Sequence, residues 1–268
     1  MNEFITGLLF SLIIAFAAYK KNSLNLSGAC GAVLLGTFIY FFGGLYLSLI
    51  MISFFVSSSI FTKVKEGYKD SLQDINEKNG ARDYIQVAAN GGLGLLFAFL
   101  YYRTKNPVFL VAYSTAFASS TADTWASELG VLSKSKPISI LSFKQVERGM
   151  SGAISLIGTL SALFGAILIA FVYALGYIFI FGFSEELIKY VIVITLAGFI
   201  GSLVDSIIGA AFQAKYECIC CGKLTEKKFH HGKNTMHISG IWWVNNDIVN
   251  FVSGFIACMI SIILYYIG

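Results

Sequence analysis

Four carboxylates sit where a chain this apolar has least reason to keep them. Asp205 stands alone within residues 190–214, a run that is otherwise free of charge. A carboxylate at a helix centre costs about 2.5–3.5 kcal/mol on insertion-based scales, so it needs a partner or a ligand. Asp123 and Glu128 follow the apolar run 106–122, and Asp247 opens the last run with Asn246 and Asn250 beside it. Oxygen-only donors of this kind suit Mg2+ or Mn2+. Asp123 and Glu128 are five residues apart, about 140° around a helix, so joint chelation needs a helix end or bend between them. Gly130 suits a stop there.

Small and amide residues recur at matching places. Ser57-Ser58-Ser59, Ser120-Thr121-Ala122-Asp123-Thr124 and Ser202-Leu203-Val204-Asp205-Ser206 end apolar runs, the last two sharing the pattern Ser-x-x-Asp-(Ser/Thr). Ser27-Gly28, Asn90-Gly91-Gly92, Ser151-Gly152 and Asn245-Asn246-Asp247 stand where runs begin. A helix N-terminus offers unpaired amides and the positive end of a dipole, and glycine there lets a phosphate approach the backbone. The recurrence predicts a polyanion site with divalent metal at one end of repeated helical hairpins.

A second donor set lies in one loop. Cys218 and Cys221 have the two-residue spacing of a zinc knuckle, and all three histidines, His230, His231 and His237, follow within the same loop. Two of them complete a tetrahedral site, and we take His231 and His237 with the two cysteines as the expected Zn2+ ligands. Cys30 and Cys258 fall in apolar runs, where a thiol packs as a small hydrophobe.

The elements that position these groups are membrane spans. Charge-free runs cover residues 4–19, 22–62, 84–102, 106–122, 149–184 and 248–268, and a span needs roughly 20 apolar residues. The 22–62 run is too long for one crossing, and Gly43-Gly44 near its middle predicts a turn. The 149–184 run reads as one long or broken helix. This predicts an all-α, polytopic helical bundle of about eight transmembrane helices, a single domain with loops near 63–83, 123–148 and 215–246. Those loops and Lys20-Lys21 hold 16 of the 19 Lys and Arg, with Arg103, Lys105 and Lys189 opposite. The positive-inside rule then puts both termini outside a cell membrane and the rich loops in the cytoplasm. At 56% hydrophobic and 13% charged the chain is too apolar for a soluble domain of this length. Its net charge of +4 follows from the loop bias and from attraction to anionic membrane lipids, with no reason to invoke nucleic acid.

Taken together the motifs resemble a known family. Arg82-Asp83-Tyr84 through Asn90-Gly91-Gly92, Ala122-Asp123-Thr124-Trp125-Ala126-Ser127-Glu128-Leu129-Gly130, Asp205-Ser206-Ile207-Ile208-Gly209-Ala210 and Asn246-Asp247-Ile248-Val249-Asn250 are similar, in order, to the phytyl-phosphate kinases. That family includes the plant plastid enzyme of the tocopherol pathway and archaeal, bacterial and animal membrane relatives. The resemblance implies transfer of a phosphoryl group from a nucleoside triphosphate, CTP first among them, to an isoprenyl monophosphate lipid. It further implies that Asp123, Glu128, Asp205 and Asp247 hold Mg2+ (or Mn2+) or order its waters. Asn90, Gly91, Gly92, Ser151, Asn246 and Asn250 would orient phosphates, and Lys65, Arg82 and Arg148 would neutralise them. In the Cys/His loop the family pattern often carries a cysteine before the glycine where this chain has His231-Gly232, and His can replace it as a zinc ligand. Nothing here resembles a Walker loop or a protein-kinase signature.

Two other classes use similar residues. A lipid cytidylyltransferase needs the same ligands and location but releases pyrophosphate. An ion or phosphate transporter also keeps a carboxylate in a helix, but it requires polar residues through to the outer face, where these spans are nearly all aliphatic or aromatic.

Overall fold

A computed structural model describes residues 2–64 and 80–267. Seven long helices dominate: α1 (Asn2–Lys20), α2 (Leu26–Lys63), α3 (Tyr84–Thr104), α4 (Pro107–Gly130), α5 (Leu156–Phe181), α6 (Glu185–Phe212) and α7 (Asn246–Ile267). All but α4 are long and apolar enough to cross a membrane. Their outer faces carry exposed Ile13, Leu34, Phe164, Phe171 and Phe179, an apolar surface suited to lipid and too extensive for water. The chain is a multi-pass membrane protein.

The 38-residue α2 is a hairpin. Gly44 takes φ 60°, ψ −153°, a region open essentially to glycine alone. The position a Cβ would occupy on Gly36 lies 3.6 Å from Met51 Cε, although 15 residues of unbroken helix would separate the two by about 22 Å. The chain therefore reverses at the glycine pair, as its sequence predicts.

Helix α4 misses the apolar threshold because it is the centre of the bundle. Every residue from Leu110 to Ala122 is buried, and many are small or hydroxylic. Three of those hydroxyls are satisfied one turn back: Ser114 Oγ donates to Leu110 O (2.9 Å), Thr115 Oγ1 to Val111 O (2.9 Å) and Thr121 Oγ1 to Phe117 O (2.6 Å). Small side chains also let neighbours approach the backbone. A Cβ on Gly165 of α5 would sit 3.1 Å from Thr121 O, and one on Gly198 of α6 would sit 2.6 Å from Ala118 Cβ.

Two expected boundaries move. Helix α4 runs on to Gly130, so Asp123 lies within it rather than in the loop expected from residue 123. Residues 149–155 are not helical: the hairpin β1 (Ile138–Ser139) with β2 (Ala153–Ile154) precedes α5, which starts behind the N-cap Ser155. Gly149 and Gly152 take φ of 85° and 81°, and a Cβ on Gly152 would meet Ala210 Cβ at 2.3 Å, so both conformation and contact demand glycine at 152. Beyond α6, three strands, β3 (Lys215–Glu217), β4 (Leu224–Thr225) and β7 (Met236–Ser239), form a sheet in the order β4-β3-β7. The hairpin β5 (Phe229–His230) with β6 (Lys233–Asn234) lies between β4 and β7 in the chain.

Packing through small residues gives a stability test. Gly198→Val should lower the thermal midpoint in detergent, at a cost of about 1–3 kcal/mol for overpacking. Gly92, with nothing within 4 Å of a Cβ, should accept alanine with unchanged or raised stability. Equal midpoints for both variants would mean that α4 and α6 are not in contact.

Candidate active site

Three helices bring their aspartates to one end of the bundle. Asp123 of α4, Asp205 of α6 and Asp247 of α7 line a single cavity of about 250 Å3 together with Ser202, Arg148, Ser151 and Glu226. The Asp123 and Asp205 carboxyls are neighbours in this cavity, each within electrostatic reach of the other. Ser253 Oγ donates to Asp205 Oδ2 (2.9 Å), and Asn250, with its amide nitrogen turned inward, donates to the same oxygen (3.0 Å). Two carboxylates this close repel unless a proton or a cation lies between them.

Loops add the remaining polar groups. Ser151 Oγ donates to Glu226 Oε1, which joins the glycine-rich turn before α5 to the Cys/His loop. Arg148 donates through Nη2 to Lys134 O (2.9 Å). The start of α5 lines the cavity with Ser155, Gly158 and Thr159, and Ser155 Oγ caps Gly158 N at 3.1 Å. The α7 start places Asn246 and Asp247 there too, with Asn245 Oδ1 accepting from Ile248 N (3.2 Å).

Glu128 lies elsewhere. With α4 unbroken, the 140° offset holds and Glu128 Oε1 accepts from Thr62 Oγ1 (2.8 Å) at the end of α2. It does not join Asp123 in the carboxylate cavity. Its charge acts on Arg82, whose guanidinium burial pushes below its ordinary pKa while Glu128 pushes it back up. Arg82 lies over the Phe55 ring (5.9 Å), and its backbone is tied to the chain ahead of α2, Arg82 N donating to Ser23 O and Asn25 N to Arg82 O (both 3.1 Å).

Arg82, Gln86 and Asn90 line a second, mainly apolar groove of about 90 Å3 among α1, both halves of α2, α3 and Phe117. Gln86 lines both cavities. Asn90-Gly91-Gly92 is not a helix start: α3 begins at Tyr84, where Asp83 and Gln86 form a capping box. Asn90 Nδ2 donates to Gln86 O (3.0 Å), its backbone oxygen accepts from Ser120 Oγ (3.1 Å), and Gly91 packs on Leu35. Lys65 lies outside the described residues.

The Cys/His loop gathers a different trio from the one expected. Cys218, Cys221 and His230 offer ligand atoms within 4.8 Å of one another, with Cys221 Sγ 3.7 Å from His230 Nδ1. The His230 ring holds the Cys218 thiol down at about 6. His231 and Gly232, with φ of 54° and 72°, are the two turn residues between β5 and β6, which is the geometry of a type I′ hairpin. His231 is not part of that trio, and its ring meets the His230 ring edge-on at 4.1 Å. His237 faces Tyr216 across β3 and β7 and meets its ring edge-on at 5.4 Å.

Sequence reasoning missed Glu226, Gln86 and Ser202 as cavity residues. Glu226 stands before Lys227-Lys228 and looks like part of a solvated charged loop. Gln86 had a signal in its three-residue spacing from Asp83, which speaks of helix capping, and Ser202 opens the Ser-x-x-Asp pattern that leads to Asp205.

Residues 9–258 match the family model described as integral membrane protein DUF92. The chain is 32% identical over 267 residues to Protein PGR of Arabidopsis thaliana, covering 93% of this chain and 91% of that protein. It is 31% identical to an uncharacterized membrane protein of Methanocaldococcus jannaschii, covering 97% and 93%, and 29% identical to the chloroplastic protein VTE6 of Arabidopsis thaliana, covering 90% and 65%. No solved structure matches. With nearly its whole length matched by the family model, this chain belongs to the DUF92 family of integral membrane proteins.

Proposed function

We propose that this protein is a membrane-embedded prenyl-phosphate kinase, moving the γ-phosphoryl group of a nucleoside triphosphate, CTP first, onto an isoprenyl monophosphate. The observation that carries the reading is the adjacency of two unlike cavities. One holds Asp123, Asp205, Asp247 and Glu226, and the other is an apolar groove with Arg82 at its edge and Gln86 in the wall between them. The similarity of the sequence motifs to phytyl-phosphate kinases supports the same reading.

The donor set fits a divalent cation. Asp123 and Asp205, neighbours in the cavity, supply the negative charge and the oxygen ligands that Mg2+ favours, and Ser253 and Asn250 orient Asp205 from behind. Mg2+ or Mn2+ bound there would draw charge from the β- and γ-phosphates. Arg148, Ser151 and the starts of α5 and α7 line the space those phosphates would occupy. The isoprenoid lies in the groove, and Arg82 neutralises its phosphate at the edge. That phosphate is a monoester with a second pKa of about 6, already ionised at neutral pH, so no strong general base is needed. One of its oxygens attacks Pγ, the bond from Pγ to the bridging oxygen breaks, and the nucleoside diphosphate leaves. The barrier is crowding of two polyanions, which cationic groups and positioning relieve. In this reading the carboxylate end faces the cytoplasm, in keeping with the basic loops.

Turnover by the purified protein with geranylgeranyl monophosphate, Mg2+ and each nucleoside triphosphate tests the proposal directly. Prenyl diphosphate plus nucleoside diphosphate is expected. Pyrophosphate release would instead indicate a cytidylyltransferase, and no product with any donor would overturn the enzymatic reading. Asp123→Asn and Asp205→Asn should each express normally and lower turnover by at least about 100-fold. Near wild-type rates in either would remove that residue from the metal site. Arg82→Gln should raise KM for the prenyl phosphate far more than KM for the nucleotide, and the opposite pattern would place the nucleotide at Arg82.

A further inference from the structure

The Cys218, Cys221 and His230 cluster lies outside the carboxylate cavity, yet the loop that carries it sends a residue into that cavity. We propose that these three side chains bind a zinc ion, and that the ion fixes residues 218–230 so that Glu226 is held against Ser151 in the carboxylate site. The metal half stands on the ligand geometry alone. The second half rests on the prenyl-phosphate kinase reading only in calling that cavity catalytic.

The chemistry of the donors selects the ion. Two thiolates and an imidazole suit zinc over the hard cations of the aspartate site. Ligand bonds of about 2.3 Å to sulfur and 2.0–2.1 Å to nitrogen at a tetrahedral angle put S and N about 3.6 Å apart. Cys221 Sγ and His230 Nδ1 are 3.7 Å apart. The backbone supports the same arrangement. Cys220 N donates to Cys218 Sγ (3.4 Å), while Cys218 N donates to Lys223 O (3.0 Å) and Gly222 N to Cys218 O (2.8 Å), folding the turn that puts both sulfurs on one side. His230 is buried although its strand neighbour Phe229 is exposed, so the hairpin turns the imidazole inward.

Glu226 is the consequence. It falls between Cys221 and His230 in the chain, so an ion joining those two closes a short loop with Glu226 near its apex. The rest of that loop is held by short elements: β4 and β5 have two residues each, Thr235 donates to Lys227 O and Lys228 O, and Glu226 enters the cavity through its bond to Ser151. A short loop closed by a metal loses much of the conformational freedom that would otherwise let Glu226 swing out. The zinc is thereby a structural fastener for an active-site carboxylate donated by a loop.

Metal analysis of the full-length protein in detergent should find about one zinc per chain, with these three side chains in three of its tetrahedral positions and the fourth open to water or a further side chain. Cys218→Ser and His230→Ala should reduce it below a tenth of that, while His237→Ala should retain it. In wild-type protein, replacement by cobalt(II) should bring thiolate charge-transfer absorption and visible bands of a tetrahedral site, a readout that needs no variant to fold. Wild-type protein with neither zinc nor a cobalt–thiolate spectrum would overturn the site. Coupling is read by hydrogen exchange. Stripping zinc should speed exchange at residues 150–155, which hold none of the ligands, by about tenfold, and Glu226→Ala should do the same with zinc retained. Exchange at 150–155 indifferent to both changes would leave a zinc site unconnected to the cavity and overturn the second half. Neither measurement depends on phosphoryl transfer, so failure of the kinase reading would show separately.

Discussion

The carboxylate of Asp205 governs how the polar end of this bundle is built. It lies near the end of α6, the one charged residue of that helix after Lys189, with Asp123 beside it in the cavity, so the surroundings must supply what water would have given. Ser253 and Asn250 of α7 supply two donors to one oxygen, which requires α7 to lie close beside α6. Asp123 reaches Asp205 only because α4 and α6 are in backbone-level contact at Ala118 and Gly198. Bulky residues there would part the helices and separate the two carboxylates, so that one ion could no longer be shared between them. The hydroxyl-rich character of α4 follows from the same need. A central helix that must be approached on every side has to be small, and its hydroxyls are tolerable because the carbonyls one turn earlier accept from them.

The opposite end is built from aromatic rings. Tyr46 Oη donates to Tyr173 O (2.7 Å) and Tyr113 Oη to Leu47 O (2.5 Å), while Tyr177, Tyr190 and Tyr265 pack edge-on or stacked beside them. Between this layer and the carboxylates lie fully buried Phe117, Ile169 and Ile194. Such a plug suits a site that works from one face of the membrane. A transport route would need polar groups or water through that layer, which is the physical reason to prefer lipid chemistry at an interface over passage of an ion.

Much of this architecture was legible in the sequence because membrane constraints are severe. A charge-free run must be helical, a run of 41 residues must reverse, and Gly43-Gly44 was the place for it to do so. The isolated position of Asp205 marked the cavity, and Asp123 and Asp247 join it there. What failed to show depended on local geometry or on loops. Glu128 could join Asp123 only if the helix bent or ended between them, whereas α4 continues to Gly130, the stop its sequence suggested, and turns Glu128 toward Thr62. Asn90-Gly91-Gly92 looked like a helix start, yet Asp83 had already capped that helix two turns earlier. His231 was as good a zinc ligand by composition as His230. The following glycine held the answer, since His-Gly between short strands reads as the φ-positive pair of a tight hairpin.

The cavity divides its donors between rigid and loop-borne elements. Asp123, Asp205 and Asp247 come from helices packed through small residues, and oxygen ligands for a small cation must hold their geometry closely. Arg148, Ser151 and Glu226 come from connections, where bulky polyanions can be admitted before they are enclosed. On the proposed reading a nucleotide would arrive from water and a lipid from the bilayer, and among the described residues it is the connections before α5 and α7 that give the cavity its loop side. Fixing the loops too firmly would hinder entry, while leaving them loose would lose the positioning on which phosphoryl transfer depends. Glycines at 149 and 152 and a chelated Cys/His loop are opposite answers to that conflict, one giving the backbone freedom to fit against α6 and the other restraining the segment that carries Glu226.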